Sequence, residues 1–399
     1  LQNVTFNLPG LFTGCARACE PLCSQVRMGM RVVHVFKDCH PPTTGGIEQH
    51  MSLLCRRLSE TADMAILAPS RSMRRVEETV GGVRIVRVPE FGRYASTPLC
   101  PTAPAELRRL RPDIVHLHFP NPMGDIAYLL AAKEKPLVVT YHADIIRQRL
   151  LLPIYRPVLR LLFKKARRII FSAPENMPLS CVPPPERGKC KVIPFGIEPE
   201  AFFLRGAEKE EVDALRARSG GPIALFVGAA RYYKGLDVLL RAMKGIRVRL
   251  IVAGRDTQNE SMKEMARELG VDHKTLFCGE VSESRLRVLL HAADVFVLPS
   301  IDRCETFGIG QLEAMACGKP VVSTDLPTGV RSVNRHGVTG LVVPAGDPDA
   351  LADALNRLFE NPGLRMELGE NARLRVEKEF RAERMVSATL EVYREILRE

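Results

Sequence analysis

Twelve short apolar runs rich in β-branched residues, none longer than six residues, do most to limit what this chain can fold into. Six come early: Arg31–Phe36, Met64–Ala68, Val83–Val88, Ile114–Leu117, Leu137–Thr140 and Arg168–Phe171. Six more follow: Ile223–Val227, Val248–Ala253, Thr275–Cys278, Val295–Leu298, Pro320–Ser323 and Leu341–Val343. Runs this short and this continuously apolar read as strands of parallel sheets covered on both faces. Helical patterns such as Ile47–Ser59, Ile126–Ala132 and Leu236–Met243 lie between them. Strand alternating with helix, met twice over, predicts two open, doubly wound α/β sheets in tandem. No short-period repeat is present, which excludes a solenoid.

Length agrees, since 399 residues exceed what one core supports and imply two domains of about 150–200 residues. The proline-rich stretch Pro174–Pro199, ending in the extended run Lys191–Pro194 and then Phe195 and Gly196, reads as the way out of the first domain. The expected division is therefore residues 30–200, residues 201–380, and a closing segment 381–399. That last segment holds the amphipathic helix Ala382–Arg398, expected to pack back on the first domain. Residues 1–29 differ from the rest: they open on Leu1 and lack the basic start and sustained apolar stretch of a signal peptide. They are expected to be weakly ordered, a start assigned too far upstream, with Met28 or Met30 as the true beginning.

Hydrophobic residues at 46% and charged residues at 26% exclude a disordered chain. No window approaches the about 18 uninterrupted apolar residues of a membrane span. The net charge of +11 is uneven: residues 1–205 carry 29 Lys+Arg against 17 Asp+Glu, while residues 206–399 carry 28 against 29. A basic first domain suits nucleic acid, an anionic bilayer or an acidic acceptor. No aromatic-rich basic stripe or recognised motif speaks for nucleic acid. In Tyr155–Ile170, Arg156, Arg160, Lys164, Lys165, Arg167 and Arg168 are interleaved with Leu, Ile and Phe, the pattern of a basic amphipathic helix lying on anionic lipid. The expectation is a cytoplasmic protein, peripheral on the inner face of a membrane. Eleven scattered cysteines, several within apolar runs as at Cys278 and Cys317, read as reduced and mostly buried thiols. Cys15, Cys19 and Cys23 are four apart but lack the companions of a zinc spacing, so no metal is expected.

In open α/β sheets ligands sit beyond the carboxyl ends of strands, and four loops there carry chemistry. After the first strand, Gly45 and Gly46 open a helix whose N-terminus favours an anion. This is neither a dinucleotide glycine pattern nor a Walker loop. After Leu137–Thr140 comes His142, placed to hydrogen-bond a polar ligand. In Gly228–Gly235, Arg231 and Lys234 suit a diphosphate. The most specific loop runs Glu305-Thr306-Phe307-Gly308 and continues through a short helix to Glu313. Eight residues of helix would separate the two carboxylates by about 12 Å, beyond the about 5–9.5 Å of a glycosidase pair. The spacing suits gripping two portions of one extended ligand.

The Glu-x7-Glu segment with the glycine loops before it resembles the family 4 retaining glycosyltransferases of GT-B fold, over nearly the whole chain from Met30. The resemblance implies two Rossmann-like domains facing a central cleft, the first binding acceptor and the second a nucleotide-sugar. It implies that Glu305 contacts the donor sugar and Glu313 holds the ribose hydroxyls. Thr306, Phe307 and Gly308 would lie against the donor phosphates and sugar, Gly45 and Gly46 near phosphate and acceptor, and His142 at the transferring sugar. Lys234 would meet the diphosphate and Val281 the nucleobase. Gly254, in Ala253-Gly254-Arg255-Asp256, falls where the family often has Gly-Asp-Gly, also at the donor site. One departure stands out: Ala229 replaces the family's arginine, and Arg231 two residues on is the substitute expected to supply that charge. The implied activity is hexosyl transfer, without a metal or cofactor, from a nucleotide-sugar to a saccharide or lipid-linked acceptor in cell-envelope polysaccharide or glycolipid synthesis. GDP-mannose is the first expectation and a UDP-hexose the next. A GT-B epimerase or hydrolase, and a noncatalytic GT-B binding protein, are the alternatives.

Overall fold

The computed structural model describes residues 29–43, 45–94, 97–145 and 152–399. Apart from Gly29, the expected weak order of residues 1–29 and the face formed by Cys15, Cys19 and Cys23 lie outside the described residues. The first sheet holds β1 (Arg31–Val35), β2 (Asp63–Pro69), β3 (Val76–Val80) and β4 (Val83–Val88). A two-residue hairpin, β5 (Arg93–Tyr94) and β6 (Thr97–Pro98), stands apart. The sheet continues with β7 (Ile114–Phe119), β8 (Leu137–Tyr141), β9 (Ala166–Phe171) and β10 (Cys190–Val192), in the order β10-β9-β8-β7-β1-β2-β4-β3. The second sheet holds β11 (Ile223–Val227), β12 (Arg249–Ala253), β13 (Thr275–Gly279), β14 (Val295–Leu298), β15 (Val321–Thr324) and β16 (Gly340–Val343), in the order β13-β12-β11-β14-β15-β16. Every pairing in the two sheets is parallel except β3 with β4.

Side chains alternate across a strand, and here both faces are covered. Val33 and Val35 enter one core of the first sheet while Val32 enters the other; Leu225 and Phe226 divide the same way in the second. That double burial is why the runs read as continuously apolar. Both sheets reverse strand order once, between β1 and β7 and between β11 and β14, and such a reversal opens the crevice where ligands bind.

Three local readings are corrected by the structure. Strand β3, unforeseen, joins β4 through Gly81 and Gly82, whose φ of 56° and 79° suit a tight hairpin turn. Its residues are largely exposed, so it carries no apolar run. The helix expected over Ile126–Ala132 runs Pro122–Ala131, because the buried Asn121 side chain caps it by accepting from Gly124 N at 3.3 Å. The basic stretch Tyr155–Ile170 is not one helix: the helix is Leu152–Lys165, and β9 begins at Ala166. Arg168, counted as lipid-facing, instead contacts Glu399 at 2.5 Å and Glu395 at 3.6 Å on the last helix.

That last helix, Ala382–Arg398, lies on the first domain. Met385, Leu390, Val392, Tyr393 and Ile396 share a core with Met51, Leu54, Cys55 and Leu58. Arg57 pairs with Glu383 at 2.7 Å and Lys191 with Glu395 at 2.6 Å. To reach it the chain crosses back beside its outward crossing: Ile197 N donates to Phe380 O at 2.9 Å, and Ala382 N to Ile197 O at 2.8 Å. A Cβ at Gly196 would lie 2.7 Å from Arg381 O, so the two crossings touch with no room for a side chain. Among the described residues no helix is long and apolar enough to cross a membrane, and the eight described cysteines are all free.

Candidate active site

The second domain builds one wall of the cleft from loops stripped of side chains. A Cβ at Gly254 would stand 2.2 Å from Gly228 O, so the ends of β11 and β12 cross only as glycines. Beyond Gly228 come Arg231, exposed and without an ion pair among the described residues, and the turn Tyr232–Lys234. Gly235 has φ 66°, and a Cβ there would meet Pro299 O at 1.9 Å. Only glycine fits, and it presses the Lys234 turn against the loop after β14, where Ile301 N also donates to Tyr233 O at 2.8 Å.

Lys234 Nζ thereby reaches Glu305 Oε2 at 2.5 Å, and Ser300 Oγ donates to the same oxygen at 3.1 Å. Thr328 Oγ1 donates to the Glu305 carbonyl at 2.7 Å, fixing the loop from the other side. Burial works against the Lys234 ammonium, but Glu305, Tyr233 and Glu313 outweigh it and hold its pKa above the ordinary lysine value. Gly308, at φ 74°, then starts the helix Ile309–Ala316; a Cβ would lie 2.7 Å from Leu298 Cδ2. Glu313 is partly buried on that helix, and burial pushes its carboxyl up to about 7 against the pull of Lys234. One ammonium thus acts on both acidic residues of the motif, Glu305 by contact and Glu313 through space. Phe307 is buried in the core, edge-on to Phe195 at 5.0 Å, while Thr306 O accepts from Asn176 Nδ2 at 3.1 Å. Val281 is partly buried at the edge of the same core.

The first domain supplies the facing wall. Gly45 precedes the helix Gly46–Leu58 in extended backbone, with no side-chain cap. The Glu48 carboxylate folds back over this end, 2.2 Å from where a Gly45 Cβ would be, so the chain's own carboxylate lies where an anion was expected. Burial raises the Glu48 carboxyl, and Asp38 adds to this; Lys37 and Arg255 pull it down. A Cβ at Gly46 would stand 3.4 Å from Ile309 Cδ1, where the walls meet. Arg303 and Asp144 bridge the cleft at 3.4 Å.

His142 is buried, its backbone N–H donating to Phe119 O at 3.0 Å. Its Nε2 lies 2.8 Å from His118 Nδ1, while its own Nδ1 is buried with no partner among the described residues. Phe195, 5.5 Å away between ring centres, links it to Phe307. Gly46 beside Ile309 and Asp144 beside Arg303 bring the glycine loop and the His142 loop of the first domain against the loop that carries Glu305 and Lys234, while the Phe307 side chain turns into the core. Sequence missed Lys37, Arg303, Asp144 and the histidines around His142. His116 and His118 are two apart on β7, and that alternation was the available signal for a shared face.

His34, His116 and His118 each offer a nitrogen within 4.8 Å of the others, close enough for a metal ion. Their ring nitrogens are already paired with one another, Thr140, Tyr393 and His142, so an ion would have to displace those bonds. A separate cavity of about 690 Å³ opens near the crossings, lined by Ala173, Ile193, Arg331, Arg335 and Arg375. Of the candidate residues only Phe307 borders it, so cavity size does not mark the chemistry here.

Residues 44–201 match the family described as Glycosyltransferase Family 4, and residues 207–375 match Glycosyl transferases group 1. The chain is 35% identical to D-rhamnosyltransferase WbpZ of Pseudomonas aeruginosa, over 88% of this chain and 93% of that one. It is 32% identical to O-antigen chain mannosyltransferase C of Escherichia coli, over 92% and 99%. Its fold is similar to that of sucrose-phosphate synthase from Thermosynechococcus elongatus, with a TM-score of 0.77 at 21% identity, over 92% of this chain and 99% of that one. Two doubly wound sheets, a cleft between their switch points and matches over both halves lead to one assignment: the chain belongs to the family 4 glycosyltransferases and has their GT-B fold.

Proposed function

We propose that this glycosyltransferase moves a hexose of manno configuration from a nucleotide-sugar to a saccharide or lipid-linked acceptor, in cell-envelope polysaccharide or glycolipid assembly. The observation that carries the reading is the Lys234–Glu305 contact at 2.5 Å, with Glu313 acting on the same ammonium through space. An entering diphosphate competes for Lys234, with Arg231 adding charge in place of the arginine absent at Ala229, and frees Glu305 to accept from sugar hydroxyls. Glu313 accepts from the ribose hydroxyls, Val281 flanks the base, and His142 faces the sugar. Gly254 and the backbone of Thr306–Gly308 leave room for the phosphates, and Gly45–Gly46 admit the acceptor.

The reaction proceeds with retention. The bond from the anomeric carbon to the diphosphate oxygen breaks, its electron pair staying on the phosphate. The acceptor oxygen bonds to the carbon from the same face, and its proton passes to the departing phosphate oxygen. Lys234 and Arg231 stabilise the charge that develops there.

GDP-mannose is the first choice of donor and a UDP-hexose the second. The two relatives are a rhamnosyl- and a mannosyltransferase by name, and D-rhamnose is 6-deoxymannose. Contact with an anionic membrane face is supported by exposed Arg156, Arg160, Lys164 and Lys165 beside exposed Ile154 and Leu161 on one helix. A thermal-shift panel tests the donor: GDP-mannose is expected to raise Tm most, and a panel in which no nucleotide-sugar raises it overturns the reading. Nucleotide release that needs no acceptor would favour a hydrolase or epimerase instead.

A further inference from the structure

Four histidines gather on one face of the first sheet. His34 on β1 lies in register with His116 on β7, and His118 lies beside Thr140 on β8, two residues before His142. Rings of His116 and His118 stack at 4.8 Å and 12°, and those of His118 and His142 at 5.0 Å and 11°. Tyr393 of the last helix enters among them.

Their polar atoms form one unbranched chain of hydrogen bonds. Thr140 Oγ1 meets His116 Nε2 at 2.7 Å, and His116 Nδ1 meets the Tyr393 hydroxyl at 2.5 Å. That hydroxyl meets His34 Nε2 at 3.1 Å, His34 Nδ1 meets His118 Nε2 at 2.8 Å, and His118 Nδ1 meets His142 Nε2 at 2.8 Å. All six residues are buried to within 2%.

Burial, first among the causes, holds all four imidazoles neutral near pH 7, and a neutral imidazole has one N–H and one bare nitrogen. Each contact then takes one proton. Six residues bring six protons to five contacts, so one proton is always left over, at one end of the chain. At the Thr140 end it is a hydroxyl hydrogen inside the core, where Thr140 has no other side-chain partner among the described residues. At the other end it is an N–H at His142 Nδ1, a buried nitrogen without a partner among the described residues. On the reading that His142 meets the donor sugar, a ligand oxygen pairs the second, whereas the first lies within strand β8, inside the sheet. An oxygen at His142 therefore orders the whole chain with every histidine protonated at Nδ1, because an unpaired buried donor is the costly alternative.

We propose that His118, His34 and Tyr393 are positioning residues for glycosyl transfer: the chain holds His142 as the Nδ1–H tautomer and presents that N–H to an oxygen of the donor sugar. The inference rests on the reading above that His142 faces the sugar. It gives the C-terminal helix, through Tyr393, a part in the chemistry of a loop in the opposite half of the sequence, and it forbids His142 to change tautomer alone.

The full chain, labelled with ¹⁵N-histidine and saturated with GDP-mannose, tests this through long-range ¹H–¹⁵N correlations that report each ring's tautomer. The expected result is Nδ1–H at His34, His116, His118 and His142 together. An Nε2–H tautomer at His142, or different tautomers among the four, overturns the proposal. His118→Phe keeps a stacked ring and removes the donor to His142. It is expected to leave His142 in mixed tautomers and to lower kcat with GDP-mannose about tenfold; a folded variant with unchanged kcat and tautomer overturns the positioning role. His142→Gln examines the underlying reading separately: unchanged turnover there shows that His142 does not meet the sugar, while the wild-type spectrum still reports whether the chain is locked.

Discussion

The two walls of the cleft come from sheets with the same reversal of strand order, yet they solve opposite electrostatic problems. The wall from the second domain is ionic: Lys234 contacts Glu305 and acts on Glu313, and each charge depends on the other for its burial. The wall from the first domain, apart from its rim, is filled with histidines that burial keeps neutral, and His34, His116, His118 and His142 are joined by hydrogen bonds rather than charge. On the proposed reading, the ionic wall neutralises a diphosphate and the other orients the sugar by offering a donor in a fixed place. The same topology therefore supports either task, and loop and strand residues choose between them.

The comparison is broken most severely by acid. His34, and His50 buried on the helix Gly46–Leu58 against Phe195, have pKa values lowered to about 3, so they stay neutral when folded and protonate near 6.5 when unfolded. The unfolded state then binds more protons below pH 6.5, and stability falls as pH falls from there toward 3. Each of the two is expected to cost about 2 kcal/mol by pH 5, and His116, His118 and His142 act in the same direction. Denaturant unfolding between pH 7 and 5 measures this, and a flat profile would show that the histidine wall is not neutral and dry.

Removing the cation from the ionic wall comes next. Lys234→Met is expected to lower kcat/KM about 10²- to 10³-fold, the scale for losing one preorganised charge at a departing group. Steady-state kinetics with GDP-mannose check it, and a loss below threefold would mean the diphosphate is neutralised elsewhere. The smallest effect sharpens the contrast by pH. Burial pushes the Glu313 carboxyl up to about 7; if it accepts from the ribose hydroxyls as proposed, they favour its ionised form, and donor affinity is expected to rise with pH and level off above 7. About a tenfold gain between pH 5.5 and 7.5 is expected by calorimetry, and Glu313→Gln should make the profile flat.

Legibility followed the physics of each element. The apolar runs were readable because both faces of each sheet are covered, so Val32 and Val33 are apolar for the same reason on opposite sides. Strand β3 was not, since Glu77 and Glu78 face solvent at a sheet edge and leave only Gly81-Gly82 as a trace. Lys234 and Glu305 were each identified by their loops, but not their direct contact, because it depends on Gly235 pressing against Pro299 O across 64 residues of sequence. Arg168 was misjudged for the complementary reason: its partners Glu395 and Glu399 lie at the far end of the chain.

Sequence by itself determined what is local and periodic: the number of buried strands, their alternation with helices, and the glycine, lysine and glutamate positions at strand ends. These survive in one dimension because side-chain alternation and turn chemistry act over a few residues. Tertiary structure alone decided who faces whom. It set His34 beside His116 and brought Tyr393 between them, and it laid Glu48 over its own helix end. Such neighbours are fixed by sheet register and by the return of the last helix, which bring together atoms hundreds of residues apart that no local rule connects.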